Sequence, residues 1–145
     1  LQHTGITPDI VTLAKGIASG FPVGALLARE GLEFKRGEHG STFAGGPLAC
    51  AVALATIDVI EEVLPDVPAK GERFMRGLAR HSPRGRGLMI GMSVGDRCPE
   101  VQQACADGGV LVNCAADGNL RLIPPLVITN EEIDRAVDVV DAALG

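Results

Sequence analysis

The chain has 145 residues, enough for one compact domain or for two small ones sharing an interface. Hydrophobic residues make up 46% of it, so it can build a core and does not read as disordered. The formal net charge is −5, there is no Trp or Tyr and there are only four Phe, which excludes the basic, aromatic-studded surfaces that bind nucleic acid.

In chain order, the first residue is Leu1 and no signal peptide follows it. "DIVTLA", Asp9 to Ala14, reads as a short buried strand, and "PVGALLA", Pro22 to Ala28, as a second, with Gly20 and Pro22 punctuating the turn between them. Arg29 to Gly46 is a loop by composition, rich in glycine and mixed charge, and its length suggests function or flexibility. Pro47 opens a helix that runs to about Val63, where its missing N–H costs nothing. The first part of that helix is apolar nearly all round, which predicts deep packing. Pro65 ends it, and a second helix with a charged face follows from about Val67 to Arg80. His81 to Gly87, "HSPRGRG", is a breaker cluster and the candidate domain boundary.

Beyond the boundary the pattern changes. Leu88 to Val94 reads as a strand, Pro99 to Gly109 as a helix stopped by glycine, and "VLVNC" and "NLRLIPP" as two strands around the turn "AADG". Thr129 to Leu144 reads as an amphipathic helix with a capping box, Thr129 with Glu132, and Ile133, Val137, Val140 and Leu144 on one face. The order β-α-β-β-α predicts a two-layer domain with helices on one side of a sheet.

The longest apolar stretch, Pro47 to Ile60, is shorter than a membrane span and carries Asp58, so a soluble, cytoplasmic chain is expected. Cys50, Cys98, Cys105 and Cys114 form no C-x-x-C pair, and the histidines are scattered. The expectation is four reduced thiols and no metal.

Three places could carry chemistry. Lys15 stands at a strand end among Gly16, Gly20 and Gly24. Desolvation there would favour the neutral amine that reacts with a carbonyl group, although a lysine snorkelling to solvent fits the same composition. Ser41 and Thr42 offer hydroxyls on a glycine-rich loop before a helix, which suits phosphate binding or simple helix capping. Arg121, between Leu120 and Leu122, points away from both; it suits bidentate carboxylate recognition or an ordinary outward arginine. Arg84 and Arg86 make a weaker claim of the same kind as solvated loop residues.

Taken together, "PDIVTLAKGIASGFPVGALLA", "HGSTFAGGPLACAVALATIDVI", "RGRGLMIGM" and "LRLIPPLVITNEEID" in this order resemble the C-terminal part of the class III (ornithine-type) aminotransferases, nearest in wording to the acetylornithine branch. The resemblance covers Pro8 to Leu144. It implies an α/β chain that is the C-terminal part of a pyridoxal-phosphate-dependent transferase of the aspartate-aminotransferase fold (fold type I), ending in a small α+β two-layer domain. Residues 1–64 would end the large cofactor-binding domain, 65–87 would be a linking helix and boundary loop, and 88–145 the small C-terminal domain.

The implied cofactor is pyridoxal 5'-phosphate. Lys15 matches the lysine that binds it and moves a proton at the substrate Cα. Thr42 matches the threonine that reaches the cofactor phosphate of the neighbouring subunit, with Ser41 beside it, and Arg121 matches the arginine that holds the substrate α-carboxylate. The implied reaction moves an amino group between N-acetylornithine, or a related ω-amino donor, and 2-oxoglutarate. It would be ping-pong, in a homodimer, in arginine or lysine biosynthesis, with no nucleic-acid or membrane partner. Ornithine and 4-aminobutyrate remain open as donors, and so does a catalytically incomplete module that pairs with a missing N-terminal half. Two departures stand out. Gly46 replaces the family's usual asparagine. The aspartate for the pyridine nitrogen, the aromatic that stacks on the ring and the glycine-rich phosphate turn would all lie upstream.

Overall fold

The computed structural model describes residues 3–145, which fall into two compact units divided between Glu62 and Val63. In the first, β1 (Ile10–Leu13) and β2 (Ala25–Ala28) pair antiparallel, Ile10 opposite Ala28 and Leu13 opposite Ala25. The β-branched run Ile10, Val11, Thr12 favours this extended pairing. A 3-10 turn, Lys15–Ala18, leaves β1, and the left-handed residues Ser19 (φ 46°) and Gly20 (φ 96°) carry the chain back toward β2. Residues 29–46 form neither helix nor strand, as expected. Arg29 closes the strand pair: its N–H donates to the Asp9 carbonyl, and its Nε lies 2.6 Å from the Asp9 carboxylate.

Helix α1 (Pro47–Val63) starts at the proline, as its sequence predicts, but the expectation of deep packing does not hold. None of its residues is buried, and Leu48 and Leu54 are 65% and 63% exposed. The strands expected to be buried are exposed too, apart from half-buried Val11. A helix that is apolar all round needs neighbours on several sides, and among the described residues the other regular elements of this unit are two four-residue strands and one 3-10 turn.

The second unit is built on a four-stranded antiparallel sheet, order β3-β4-β6-β5, from β3 (Arg84–Arg86), β4 (Met89–Ser93), β5 (Asn113–Ala115) and β6 (Asn119–Leu122). Helices α2 (Val67–Gly77), α3 (Cys98–Asp107) and α4 (Asn130–Leu144) supply the remaining core. Alternation sends Ile90 and Met92 of β4, and Leu120 and Leu122 of β6, to the inner face. There they join Phe74 and Leu78, Val101 and Cys105, and Ile133 and Val140, all essentially inaccessible. Helix α4 begins with the expected capping box: the Glu132 N–H donates to Thr129 Oγ1 at 3.2 Å, and the Thr129 N–H donates to Glu132 Oε2 at 2.8 Å. Helix α2 crosses the β3–β4 turn so closely that a Cβ on Gly71 would sit 2.3 Å from the Gly87 carbonyl oxygen.

Two expectations are corrected here. Arg84 to Arg86 are not loop but an edge strand, made possible by Gly85 at φ 154°, where a Cβ would collide with the Met89 carbonyl. Cys98 and Cys114 are not thiols but a disulfide. The chain turns back after α3, so β5 runs beside the start of that helix and brings the two Cα atoms to 5.8 Å, within bridging range. Cys50 and Cys105 are free; burial holds the Cys105 thiol above its ordinary pKa, which leaves it unreactive.

Candidate active site

Lys15 occupies the first position after β1 and Ala14, where the chain must leave the strand sharply. It does so at φ 57°, in the left-handed region that a lysine rarely adopts. The side chain is exposed, as in the snorkelling alternative of the sequence rather than the desolvated one, and among the described residues it has no hydrogen bond or ion pair. A Cβ built on neighbouring Gly16 or on Gly20 would meet nothing within 4 Å, so the backbone beside the amine is open to a flat ligand.

Ser41 and Thr42 lie at the end of the irregular loop, six and five residues before α1 opens at Pro47. Ser41 Oγ accepts the Ala44 N–H at 3.3 Å, which folds the loop back on itself. Both hydroxyls are on exposed residues, and next to them Phe43 is 89% exposed. Lys15, Ser41 and Thr42 belong to the first unit and are joined by no hydrogen bond among the described residues. Arg121 belongs to the second unit.

Arg121 projects from β6 on the outer face of the sheet, opposite to Leu120 and Leu122, as its spacing predicts. Its Nη2 donates to Asn113 Oδ1 at 3.1 Å, and Asn113 is its direct cross-strand partner on β5. On the same face, Arg84 donates to Asn119 Oδ1, and Asn119 in turn donates to the Ala116 carbonyl at 2.9 Å. Arg84, Asn119 and Arg121 border a concavity of about 510 Å³ whose lining also includes Arg86, Met89 and Gly91. Asn113 and Asn119 are the functional candidates that a linear reading misses. Pairing "VLVNC" against "NLRLI" across the "AADG" turn would have placed Asn113 beside Arg121.

The profile of the aminotransferase class-III family matches residues 1–144. The chain belongs to the class III aminotransferase family. Acetylornithine aminotransferase from Methanosarcina mazei is 50% identical over 150 residues, covering 98% of this chain and 38% of the relative. The chain therefore spans less than half the length of the curated relatives it matches. Among solved structures, acetylornithine aminotransferase from Elizabethkingia anophelis superposes with a TM-score of 0.90 at 32% identity, over 99% of this chain and 42% of that one. Ornithine aminotransferase from Toxoplasma gondii, whose active site holds pyridoxal phosphate at partial occupancy, gives 0.90 at 32% identity, over 99% and 38%. The fold is that of an α/β portion of a pyridoxal-phosphate-dependent aminotransferase, and class III aminotransferases use that cofactor.

The residues of this class III aminotransferase chain fit the cofactor's chemistry. A primary amine with no hydrogen bond or ion pair among the described residues suits its aldehyde, and hydroxyls on a loop before a helix suit its phosphate. Among the described residues no group of three or more His, Cys, Asp or Glu could hold a metal ion, and no helix is long and apolar enough to cross a membrane.

Proposed function

We propose that this chain supplies the C-terminal part of a pyridoxal-phosphate-dependent aminotransferase that moves an amino group between N-acetylornithine, or a related ω-amino donor, and 2-oxoglutarate. The observation that carries the reading is Lys15: an unpaired amine held in a strained left-handed conformation, with open backbone around it. Strain of this kind persists where function requires it. Residues 1–64 would close the large cofactor-binding domain and 88–145 would form the small domain, with 65–87 between them.

Each named side chain has one task in this reading. Lys15 binds the cofactor and then, as a free amine, moves a proton at the substrate Cα. Thr42, with Ser41 beside it, donates to the cofactor phosphate of the opposite subunit of a homodimer. Arg121 grips the substrate α-carboxylate with a bidentate pair of N–H groups and so orients the bond to be broken. The bound cofactor would serve as the electron sink for that step. The cycle would be ping-pong, in the cytoplasm, within arginine or lysine biosynthesis, and the acyl-recognising residues would come from elsewhere in the protein.

That no residue of the apolar helix α1 is buried favours a second reading, in which the chain contributes part of a site that further polypeptide completes. Cofactor trapping separates the two. The protein is incubated with pyridoxal phosphate, reduced with borohydride and mapped by mass spectrometry beside Lys15→Ala. Labelling confined to Lys15 and lost in the variant is the expected result. Labelling scattered over Lys35 and Lys70, or none at all, would leave this chain without a cofactor site of its own.

A further inference from the structure

Strand β5 is short and singly paired, yet it holds the guanidinium of Arg121. It is three residues long, lies at an edge of the sheet, and its ladder runs to β6 alone. Alternation divides its side chains between the two faces. Asn113 shares the outer face with its cross-strand partner Arg121, whose Nη2 donates to Asn113 Oδ1 at 3.1 Å. Cys114, opposite buried Leu120, turns inward. There it is bonded to Cys98, the first residue of α3. Besides the ladder, β5 is tied to α3 by this bridge and, just ahead of the strand, by the Val112 carbonyl, which accepts from Gln102 Nε2 at 3.1 Å. The disulfide is thus one residue away from the group that sets the arginine.

A structural staple is not what this unit lacks. Small domains that depend on disulfides are those with too little core, and here α2, α3, α4 and the inner face of the sheet already build one. In the cytoplasm proposed above, a disulfide is of the transient, redox-sensing kind. The two sulfurs are also unequal. Cys98 is buried, whereas Cys114 is half-buried on an edge strand, so an attacking thiolate reaches Cys114 Sγ first. Cys98 is the better leaving group, because the first turn of a helix favours its thiolate. Cys105 shares the core, but burial holds its thiol above the ordinary pKa and makes it a poor competitor.

We propose that the Cys98–Cys114 pair is a redox switch for the carboxylate site, with Asn113 as the positioning residue through which it acts on Arg121. This rests on the reading above that Arg121 holds a substrate carboxylate. In the closed state the bridge pins β5 to α3, Asn113 stays in register, and the Arg121 guanidinium is preset for its ligand. A small dithiol opens the switch. One of its thiolates attacks Cys114 Sγ, the Sγ–Sγ bond breaks, and Cys98 leaves as a thiolate and takes up a proton. The second thiol of the reductant then displaces Cys114 from the mixed disulfide, and Cys114 is protonated in turn. Two electrons and two protons have reached the protein, and the reductant departs as a cyclic disulfide. The reverse exchange, with a small disulfide as oxidant, closes the switch and releases two thiols. Once open, β5 keeps only its ladder and the Gln102 bond, and it frays. Asn113 then leaves Arg121, and the ligand itself has to order the guanidinium. That loss is worth one hydrogen bond, about fivefold in affinity.

The test compares one protein in two states. The 145-residue chain, with Cys50→Ser to remove its exposed thiol, is prepared oxidised, reduced with dithiothreitol, and reoxidised with glutathione disulfide. Thiol alkylation and mass spectrometry report the bridge. Butyrate, a plain monocarboxylate, is titrated in each state while NMR follows the Arg121 Nε–Hε signal. Amide exchange compares β5 with the β4–β6 ladder. The oxidised protein should bind butyrate about fivefold more tightly than the reduced one. Protection of β5 should fall about tenfold or more on reduction, with the β4–β6 ladder unchanged, and reoxidation should restore both. Cys114→Ser should behave as the reduced protein with or without dithiothreitol, and Asn113→Ala should bind weakly in both states. Equal affinity in the two states, or a redox effect that survives in Asn113→Ala, overturns the switch and leaves the carboxylate role of Arg121 standing. So does a pair of thiols that glutathione disulfide fails to join. If butyrate leaves the Arg121 signal unmoved in every state, the carboxylate reading of Arg121 fails and the switch falls with it. None of these results depends on whether Lys15 takes the cofactor.

Discussion

Lys15 sits at φ 57°, where a Cβ costs about 1–2 kcal/mol relative to the ordinary helical or extended basins. Glycine would remove that cost, offset in part by about 0.5–1 kcal/mol of extra chain entropy in the unfolded state. Lys15→Gly should therefore stabilise the β1–β2 pair by about 0.5–1 kcal/mol, whereas Lys15→Ala keeps the strained angle and gains little. Amide exchange across the β1–β2 ladder, including the Arg29 N–H that donates to Asp9, reads the difference. Equal protection in all three proteins would mean that the position stores no strain. The opposition of strain and reactivity was partly legible beforehand, since a single lysine among glycines at a strand end invites the question. Whether the amine is desolvated or snorkels to solvent was left open, because burial depends on what surrounds the strand. Arg121 was legible for a firmer reason: alternation fixes its face once Leu120 and Leu122 point inward. Its neighbour Asn113 was hidden, because cross-strand register is a property of two segments and of neither alone.

Between elements, α4 is tied at two polar points to α2 and to the 3-10 turn, Ala79–His81, that follows it. Arg73 donates to both Asp134 oxygens, at 2.6 and 2.5 Å, and near the far end Asp141 lies 2.8 Å from His81 Nε2 and 2.6 Å from Arg80 Nε. The hydrogen bond from Arg73 holds the Asp134 carboxyl below its ordinary pKa, and His81 first, then Arg80, do the same for Asp141. A depressed carboxyl stabilises the fold fully above its unfolded value, about 3.9, and loses that contribution as pH falls through the lower folded value. Urea midpoints taken from pH 6 downward should thus drop below about pH 4, and the drop should be shallower in Asp134→Asn with Asp141→Asn. A double variant with the wild-type acid profile would show that these exposed pairs carry no linkage, a fate common for ion pairs in solvent. The elements themselves differ in how far sequence alone reveals them. Helix α4 declares itself, because its capping box and its apolar face are local patterns. Strand β3 does not: "RGR" has no apolar residue and a central glycine at φ 154°, and only pairing with β4 makes it a strand.

At the scale of the whole chain, apolar burial is distributed very unevenly. Fifteen hydrophobic residues are buried among the described ones; of these Ala18 alone lies in the first unit, while Phe74, Ile90, Leu120, Ile133 and the rest build the core of the second. The apolar helix α1 and the strands β1 and β2 carry sequence patterns written for burial that their own unit does not provide, in a chain that spans 38% of a relative such as the Methanosarcina mazei enzyme. Buried apolar surface is what raises the free energy of opening a segment, so the two units should open at very different cost. Limited trypsin digestion distinguishes them when opening is fast relative to cleavage. Lys35 and Arg36, on the exposed loop without regular structure, should be cut first. Sites within α2, Lys70, Arg73 and Arg76, should resist, because cutting there requires unpacking Phe74 and Leu78 from the core that α4 completes. The early product should be a resistant piece beginning after the loop and containing the four-stranded sheet. Cleavage at Lys70 as fast as at Lys35 would mean that α2 is not integral to the second unit. Strands β3 and β4 would then lose the support beneath them, since α2 packs against both.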